Sequence, residues 1–167
     1  MTYVIRTNGY HVLTRGIASE IANFVKPLLI HQSKYLNDQL PVDKYTFIIY
    51  HNLNPEPNAY MGDGLEHSNS TLILLYMPLD MDIIKQNVYG IASHEFFHTM
   101  MPLGLHSHEI ADYDFNDPKF SRHLWLYEGM TEYFTIHMPI KTKLEDLPHF
   151  LDLVERKWKD MQQFDAD

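Results

Sequence analysis

Hydrophobic positions follow a helical spacing near the start of the chain and form short dense runs further on. The stretch "GIASEIANFVKPLLIHQSKYLNDQL" has apolar residues near helical spacing and predicts a helix, which Pro27 is expected to kink or end at its midpoint. The run "YTFIIY" is rich in aromatic and β-branched residues and predicts a strand, and "LEHSNSTLILLYM" predicts a second strand led by a polar segment. The turn-rich segment "NPEPNAYMGDG" between them predicts a loop.

The second half of the chain has mainly helical patterns. A helix is predicted over "KQNVYGIASHEFFHTMM", closed by Pro102 and Gly104. A long polar loop follows over residues 102–120, and Asp117 with Pro118 is typical of the start of the next helix. That helix, "RHLWLYEGMTEYFTIHM", is apolar on nearly every side, so we expect it to be buried.

The last predicted helix is amphipathic and is expected on the surface. Its apolar positions repeat on one face, at Leu147, Leu151, Val154 and Trp158. The pattern as a whole predicts an α+β fold in one domain, residues 1–167. In it, strands occupy about residues 40–80, two main helices about residues 85–138, and a C-terminal helix about residues 144–163.

Composition narrows the classes of function. The 167 residues carry a formal net charge of −9, so no basic patch suggests nucleic acid or anionic lipid as a partner. The chain has no cysteine, which excludes disulfides, thiolate metal sites and cysteine nucleophiles. The longest apolar runs are strand-sized, so no membrane insertion is expected, and the first residues lack the pattern of a signal peptide.

Within "ASHEFFHTM", His94 and His98 are four residues apart, and Glu95 follows the first. Side chains four apart lie on one face of a helix, so both imidazoles can reach one cation. This spacing is typical of a zinc site. Phe96 and Phe97 make the helix apolar elsewhere, and polar groups in such surroundings need a partner to offset their desolvation.

Two imidazoles leave the coordination shell incomplete, and Glu128 is our candidate for the third ligand. It lies mid-helix in an apolar segment that would hold a free carboxylate at a cost, and Gly129 beside it permits close approach of another helix. Glu132, one turn further, either accepts the second ring N–H of a ligand histidine or is an ordinary charged residue. The alternatives for the third ligand are His106, His108, Glu109, Asp112, Asp114 and His123.

Three motifs in this order, "GDGLEHSNST", "HEFFHT" and "HLWLYEGMTEYF", resemble the glycyl aminopeptidase family of gluzincin metallopeptidases. The resemblance covers about residues 40–138 and implies a thermolysin-like catalytic core, in which a small sheet with an edge substrate-binding strand packs on a helical half. It implies one Zn²⁺ held by His94, His98 and Glu128, with Glu95 as catalytic base. Family members are several times longer, so the remaining domains of a full-length protein are expected partners.

The resemblance also implies a substrate strand at "GLEH", namely Gly64, Leu65, Glu66 and His67. In related aminopeptidases this edge strand binds the substrate backbone, and its glutamate receives the free α-amine. The physical basis is that an extended peptide adds to a sheet edge and a carboxylate selects a cationic terminus. The expected substrates are therefore peptides with a free N-terminus, and small N-terminal residues are the expected leaving units.

The predicted reaction is peptide hydrolysis by a zinc-activated water, with Glu95 taking the water's proton. The donor that stabilises the oxyanion is left open among Tyr60, His67, Tyr113 and His123, and related enzymes use a tyrosine further downstream.

Two other functions stay open: a metal-binding or catalytically incomplete domain of a larger protein, and an endopeptidase. The resemblance suggests the cell envelope or secretion, while the chain itself carries no address.

Overall fold

The computed structural model describes residues 2–8, 14–52, 62–114 and 116–164. Four strands form one mixed sheet in the order β1-β2-β4-β3. Strand β1 (Thr2–Asn8) is parallel to β2 (Thr46–Asn52), and β2 is parallel to β4 (Ser70–Tyr76). Strand β3 (Gly62–His67) is antiparallel to β4 and lies at one edge of the sheet.

Five helices accompany the sheet in the described part of the chain. They are α1 (Thr14–Tyr35), α2 (Met81–Phe97), the short α3 (His108–Ala111), α4 (Leu124–Lys141) and α5 (Leu147–Met161). Helix α2 packs against β3, β4, α1 and α4, so it lies at the centre of the molecule. The architecture is α+β, as the pattern predicts.

The hydrophobic core lies between the sheet, α1 and α2. Alternate residues of the central strands point into it, which agrees with the two-residue period of β structure. Its fully or nearly fully buried members include Leu28, Phe47, Ile49, Ile73, Leu75, Ile84, Val88, Ala92, Phe96 and Phe97. Burial of this apolar surface is the main source of stability and holds α2 against the sheet.

Buried hydrogen bonds from two side chains, Tyr45 and Gln32, help to hold α2 in place. The Tyr45 hydroxyl lies 2.6 Å from Thr71 Oγ1 on β4 and donates to the Glu95 carbonyl at 3.3 Å. The Gln32 amide of α1 donates to the Ser93 carbonyl at 3.4 Å. At the helix start, Asp80 caps α2 by accepting from the backbone N–H groups of residues 82 and 83.

Several predicted boundaries are wrong. Helix α1 does not end at Pro27 but runs through it, because a proline in the interior of a long packed helix costs one hydrogen bond that tertiary packing can offset; the kink at Pro27 stays a prediction. Helix α2 spans Met81–Phe97 with His98 as its C-cap, so the predicted helix began and ended four residues too late. Helix α4 begins at Leu124 rather than near Asp117, and the predicted long loop contains α3.

Two further predictions about the pattern need correction. Strand β1 was not predicted, although "TYVIRT" is rich in the aromatic and β-branched residues typical of a strand. The end of the predicted loop and the single predicted strand "LEHSNSTLILLYM" instead form two strands, β3 and β4, which a turn at residues 68–69 joins as a hairpin because each strand supplies the other's hydrogen bonds. Helix α4 is not buried all round: Trp125 is 72% exposed and Tyr133 is 45% exposed.

In the described part of the chain, no helix combines the length and apolarity that a membrane crossing requires.

Candidate metal centre

Histidines 94 and 98 lie together on the face of α2 that meets α4. Their ring centroids are 4.8 Å apart, and the rings are nearly perpendicular. His98 is almost completely buried, whereas 22% of the His94 side chain is exposed. Donor atoms of His94, Glu95 and His98 all lie within 4.8 Å of one another. The local spacing along α2 therefore becomes a compact donor group in three dimensions.

Glu128 of α4 brings a carboxylate to the two imidazoles. Its Oε2 atom is 3.1 Å from His94 Nε2 and 3.7 Å from His98 Nε2. The predicted ligand set of His94, His98 and Glu128 thus meets at one point, although the residues come from two helices. Glu128 points its oxygen at both rings, whereas the Glu95 carboxyl lies against Gly64 of β3, so Glu128 is the better candidate for the third ligand.

The other ring nitrogens of both histidines have acceptors. His94 Nδ1 lies 2.9 Å from Glu132 Oε2, and His98 Nδ1 lies 2.9 Å from the Met101 carbonyl. Thr131 supports the second contact, since its hydroxyl donates to the same carbonyl at 3.1 Å. Ligand histidines in metal sites are oriented by acceptors of this kind.

The protonation pattern that these contacts require fits a bound cation. The Met101 carbonyl can only accept, so His98 Nδ1 carries the proton and Nε2 has a lone pair. That lone pair faces the Glu128 carboxylate, an arrangement that is unfavourable unless a proton or a metal ion lies between them. Two imidazole nitrogens and one carboxylate oxygen are a donor set that suits Zn²⁺.

Glu95 is enclosed at the edge of this centre. The residue is 7% exposed, and its Oε2 atom is buried with no hydrogen-bond partner among the described residues. Burial raises the pKa of Glu95 to about 7, against the effect of His94 and with that of the carboxylates nearby. A carboxyl group whose pKa is near neutral pH and whose oxygen has no hydrogen-bond partner among the described residues is suited to accept a proton from water.

The charges around His94 are strongly coupled. Burial lowers its pKa, but hydrogen bonds to Glu128 and Glu132 outweigh burial and raise the pKa to about 9. The hydrogen bond from His94, opposed by burial and assisted by Lys157, lowers the pKa of Glu132 to about 2. In the metal-free protein, a proton on His94 thus balances part of the carboxylate charge.

A cleft of about 480 Å³ extends from the centre between β3, α2 and α4. It is lined by Gly62 and Gly64 of β3, Asn87 and Ile91 of α2, and Glu132 of α4. A Cβ atom at Gly64 would lie 2.6 Å from Glu95 Cδ, so only glycine permits this strand to approach the carboxyl so closely. The edge strand and the candidate base are therefore in direct contact.

The other residues of "GLEH" alternate along β3. Residues 62, 64 and 66 form its less exposed side, which faces α2, so Glu66 points toward the same side as Gly64. The Glu66 charge is near enough to raise the pKa of Glu95, after the larger effects of burial and His94. Leu65, 50% exposed, and His67, also exposed, are on the opposite side of the strand.

Of the candidate oxyanion donors, those within the described residues do not gather at the centre. Tyr60 lies outside the described residues, and Tyr113 lines a separate pocket beside α3. His123 is the N-cap of α4 and contacts the Tyr127 ring. Within the described ranges, the cleft lining does not include Tyr113, His123 or His67.

The alternative third ligands are also engaged elsewhere. His106 Nδ1 lies 2.9 Å from the Pro102 carbonyl, and His108 pairs with Asp112 at 3.7 Å on the exposed surface. Glu109 accepts from Ser107 and Ser121. In the parts of the chain described here, the His94, Glu95 and His98 group is the one with metal-site geometry.

Comparison with known proteins connects this geometry to a family. The sequence model described as M61 glycyl aminopeptidase matches residues 87–167, which include His94, His98, Glu128 and Glu132. Residues 87–167 are thus similar to the glycyl aminopeptidase family. The matched segment contains α4, α5 and the part of α2 from residue 87 onward.

A solved structure shares the fold over nearly the whole chain. It is an aminopeptidase N family protein from Idiomarina loihiensis, superposed with a TM-score of 0.64 at 24% sequence identity over 89% of this chain. The present chain spans 25% of that protein's length. No curated protein sequence matches the chain.

Proposed function

We propose that this chain is the catalytic part of a zinc-dependent aminopeptidase with a thermolysin-like core. The observation that carries the proposal is the meeting of His94, His98 and Glu128 beside a buried, unpartnered carboxyl oxygen of Glu95. The family match and the aminopeptidase fold support peptide hydrolysis as the reaction. A zinc ion at the three ligands would supply Lewis-acid polarisation of the scissile carbonyl and activation of water.

The residues of the chain perform the proton transfers in this proposal. Glu95 accepts the proton of the attacking water and then donates it to the leaving amine, for which a pKa near 7 is favourable. Glu132 accepts from His94 Nδ1, and the Met101 carbonyl accepts from His98 Nδ1, so each ring keeps its Nε2 atom directed at Glu128.

The edge strand suggests how a peptide would lie. Glu66 is two residues beyond Gly64 on the same side of β3, while the cleft extends in the other direction, toward Gly62 and Asn87. We infer that the free α-amine binds the Glu66 carboxylate and that the rest of the peptide runs along β3 into the cleft. A carboxylate near the base on one side and an open cleft on the other favour removal of N-terminal residues.

The test compares zinc content with hydrolysis in the same preparation. We expect one zinc per chain and release of the N-terminal residue from free peptides, with N-acetylated peptides left intact. Cleavage of the acetylated peptides would show an endopeptidase, and zinc without turnover would show a domain that needs the remainder of a longer protein. The short span relative to the solved aminopeptidase makes that comparison worthwhile.

Glu95→Gln is the matched catalytic test. The amide has almost the shape of the carboxylate but cannot accept the proton, so we expect turnover to fall by about a hundredfold or more at unchanged zinc content. A Glu95→Gln protein that hydrolyses peptides at the wild-type rate would refute the assignment of the base.

A further inference from the structure

A chain of charged contacts joins the last helix to the metal centre. Lys157 of α5 makes an ion pair with Glu132 Oε1, and Glu132 Oε2 lies 2.9 Å from His94 Nδ1. The opposite side of the same ring faces Glu128, with Nε2 and Oε2 3.1 Å apart. The two oxygens of Glu132 are therefore used separately, one for the lysine and one for the histidine.

Helix α5 is placed to make this contact by its packing on α4. The helices run antiparallel, since Phe150 contacts His137 near one end and Lys157 contacts Glu132 seven residues further along α5. In the middle of α5, Leu153 lies on the half-buried side with Phe150, at a spacing that continues to residue 157. Lys157 is thus on the side of α5 that faces the centre.

Stability alone gives little reason for the Lys157 pair. Side chains of Lys157 and Glu132 are 46% and 33% exposed, and ion pairs of this kind contribute about 0–1 kcal/mol to folding. What distinguishes the pair is its neighbour: a glutamate with one oxygen free could rotate away from His94, and the lysine opposes that rotation. Lys159, by comparison, pairs with Glu155 within α5.

We propose that Lys157 is a positioning residue for the metal centre. It holds Glu132 in the orientation in which Oε2 accepts from His94 Nδ1, and this contact directs His94 Nε2 toward Glu128. The inference rests on the proposed function, since it assumes that His94 and Glu128 bind a metal ion. It assigns a role in metal binding to α5, about 25 residues after Glu132 in sequence.

Charge and position make opposite predictions for Lys157. The ammonium group is positive, so its removal by electrostatics alone should strengthen the binding of a second cation nearby. If the lysine instead positions Glu132, its removal should weaken zinc binding, because a carboxylate that no longer orients its ligand histidine lowers the affinity for the metal. The sign of the change separates the two roles.

The experiment measures the zinc dissociation constant of the full chain by competition with a chromophoric chelator. We expect Lys157→Met, which keeps most of the apolar stem, to weaken zinc binding about three- to tenfold, less than the loss expected when the carboxylate itself is removed. Lys157→Arg should restore wild-type affinity, and the control Lys159→Met should not change it. Adding Lys157→Met to Glu132→Gln should have no further effect.

Unchanged or tighter zinc binding by Lys157→Met, with the helix content intact by circular dichroism, would overturn the proposal. Failure of Lys157→Arg to rescue would overturn it too, since a positioning role needs only a cation that reaches Glu132. A wild-type chain that binds no zinc would overturn the proposed function and this inference together. The wild-type measurement therefore distinguishes the two failures.

Discussion

Gly64 illustrates how much of the candidate chemistry depends on the absence of one atom. A Cβ atom at this position would lie 2.6 Å from Cδ and 2.7 Å from Cγ of Glu95, both parts of a buried side chain. The close approach lets the edge strand and the candidate base share one surface. A methyl group there would displace the carboxyl rather than break the sheet, because the clash is with a side chain and not with backbone.

We predict that Gly64→Ala lowers turnover at least tenfold while it destabilises the fold by about 2 kcal/mol or less. Steady-state kinetics with chemical denaturation would measure both. Gly62→Ala is the matched control, since its Cβ meets the Ile91 side chain at 3.0 Å and does not meet Glu95. Equal loss of activity in both variants would indicate a general effect on β3.

Proton release should accompany zinc binding. The pKa of His94 in the metal-free protein is raised to about 9, so at neutral pH the ring is protonated and must lose a proton to bind zinc. The sign follows directly: zinc affinity should rise about tenfold per pH unit from about pH 7 and level off as pH passes through about 9.

Calorimetry in buffers of different ionisation enthalpy would count the protons released. The Glu95→Gln background removes the contribution of a carboxyl whose pKa burial raises to about 7. Binding with no proton release near pH 7 would contradict a His94 proton at the centre. Release should decrease in Glu132→Gln, because one of the acceptors that raises the pKa of His94 is then lost.

At the scale of elements, α5 has an apolar stripe that does not face α4. Leu147, Leu151 and Trp158 are 54–55% exposed, and Val154 is 40% exposed, whereas Phe150 and Leu153 are half-buried. The amphipathic pattern correctly predicted a helix on the surface. It did not predict which side packs: Phe150 and Lys157 make the contacts with α4, on the side that lacks the stripe.

We therefore predict that Trp158→Ser costs about 1 kcal/mol or less, since the ring is already half in water. Phe97→Ala should cost about 3–5 kcal/mol, because Phe97 is fully buried in the core. Urea denaturation of the two variants beside the wild type would test the contrast. A large loss in Trp158→Ser would mean that this stripe is covered in solution, and a change of stability with protein concentration would then identify a second copy.

At the scale of the whole molecule, the metal centre joins two parts of the chain. Helix α2 belongs to the core with the sheet and α1, whereas α4 brings Glu128 and connects to α5. A metal ion bound by both helices would stabilise the folded chain by an amount that grows with the logarithm of its concentration over its dissociation constant. The stability of the fold, measured with and without the metal, therefore tests metal binding independently of enzymatic activity.

Zinc at about one hundred times its dissociation constant should add about 2.7 kcal/mol, which corresponds to about 5–10 °C in Tm for a domain of this size. Thermal unfolding with zinc and with a chelator would show the shift. Magnesium is the control, because it prefers an octahedral shell of oxygen ligands and should give little change. An identical Tm in zinc and in chelator would count against the centre.

Much of the fold could be anticipated from local pattern. The strand at "YTFIIY", the apolar part of the strand predicted at "LEHSNSTLILLYM" and the four main helices follow from hydrophobic spacing within single segments, and the structure confirms them. The ends of the helices were less predictable. Helix α1 continues through Pro27 and α4 begins at Leu124, because packing decides where a helix begins and ends. The resemblance to glycyl aminopeptidases, stated for about residues 40–138, is confirmed from residue 87 onward, and the family match extends to residue 167. The division of the chain into domains stays a prediction.

The placement of His94 and His98 on one face needed only the helical repeat, because residues four apart are neighbours in any α-helix. The approach of Glu128, 34 residues from His94, required α4 to cross α2 at the right level, and only the packed molecule determines that. The contacts of Gly64 with Glu95 and of Lys157 with Glu132 join separate elements in the same way. The sequence alone therefore determines which side chains share a face within one helix, because that depends only on their spacing. Contacts between distant segments depend on how the whole core packs.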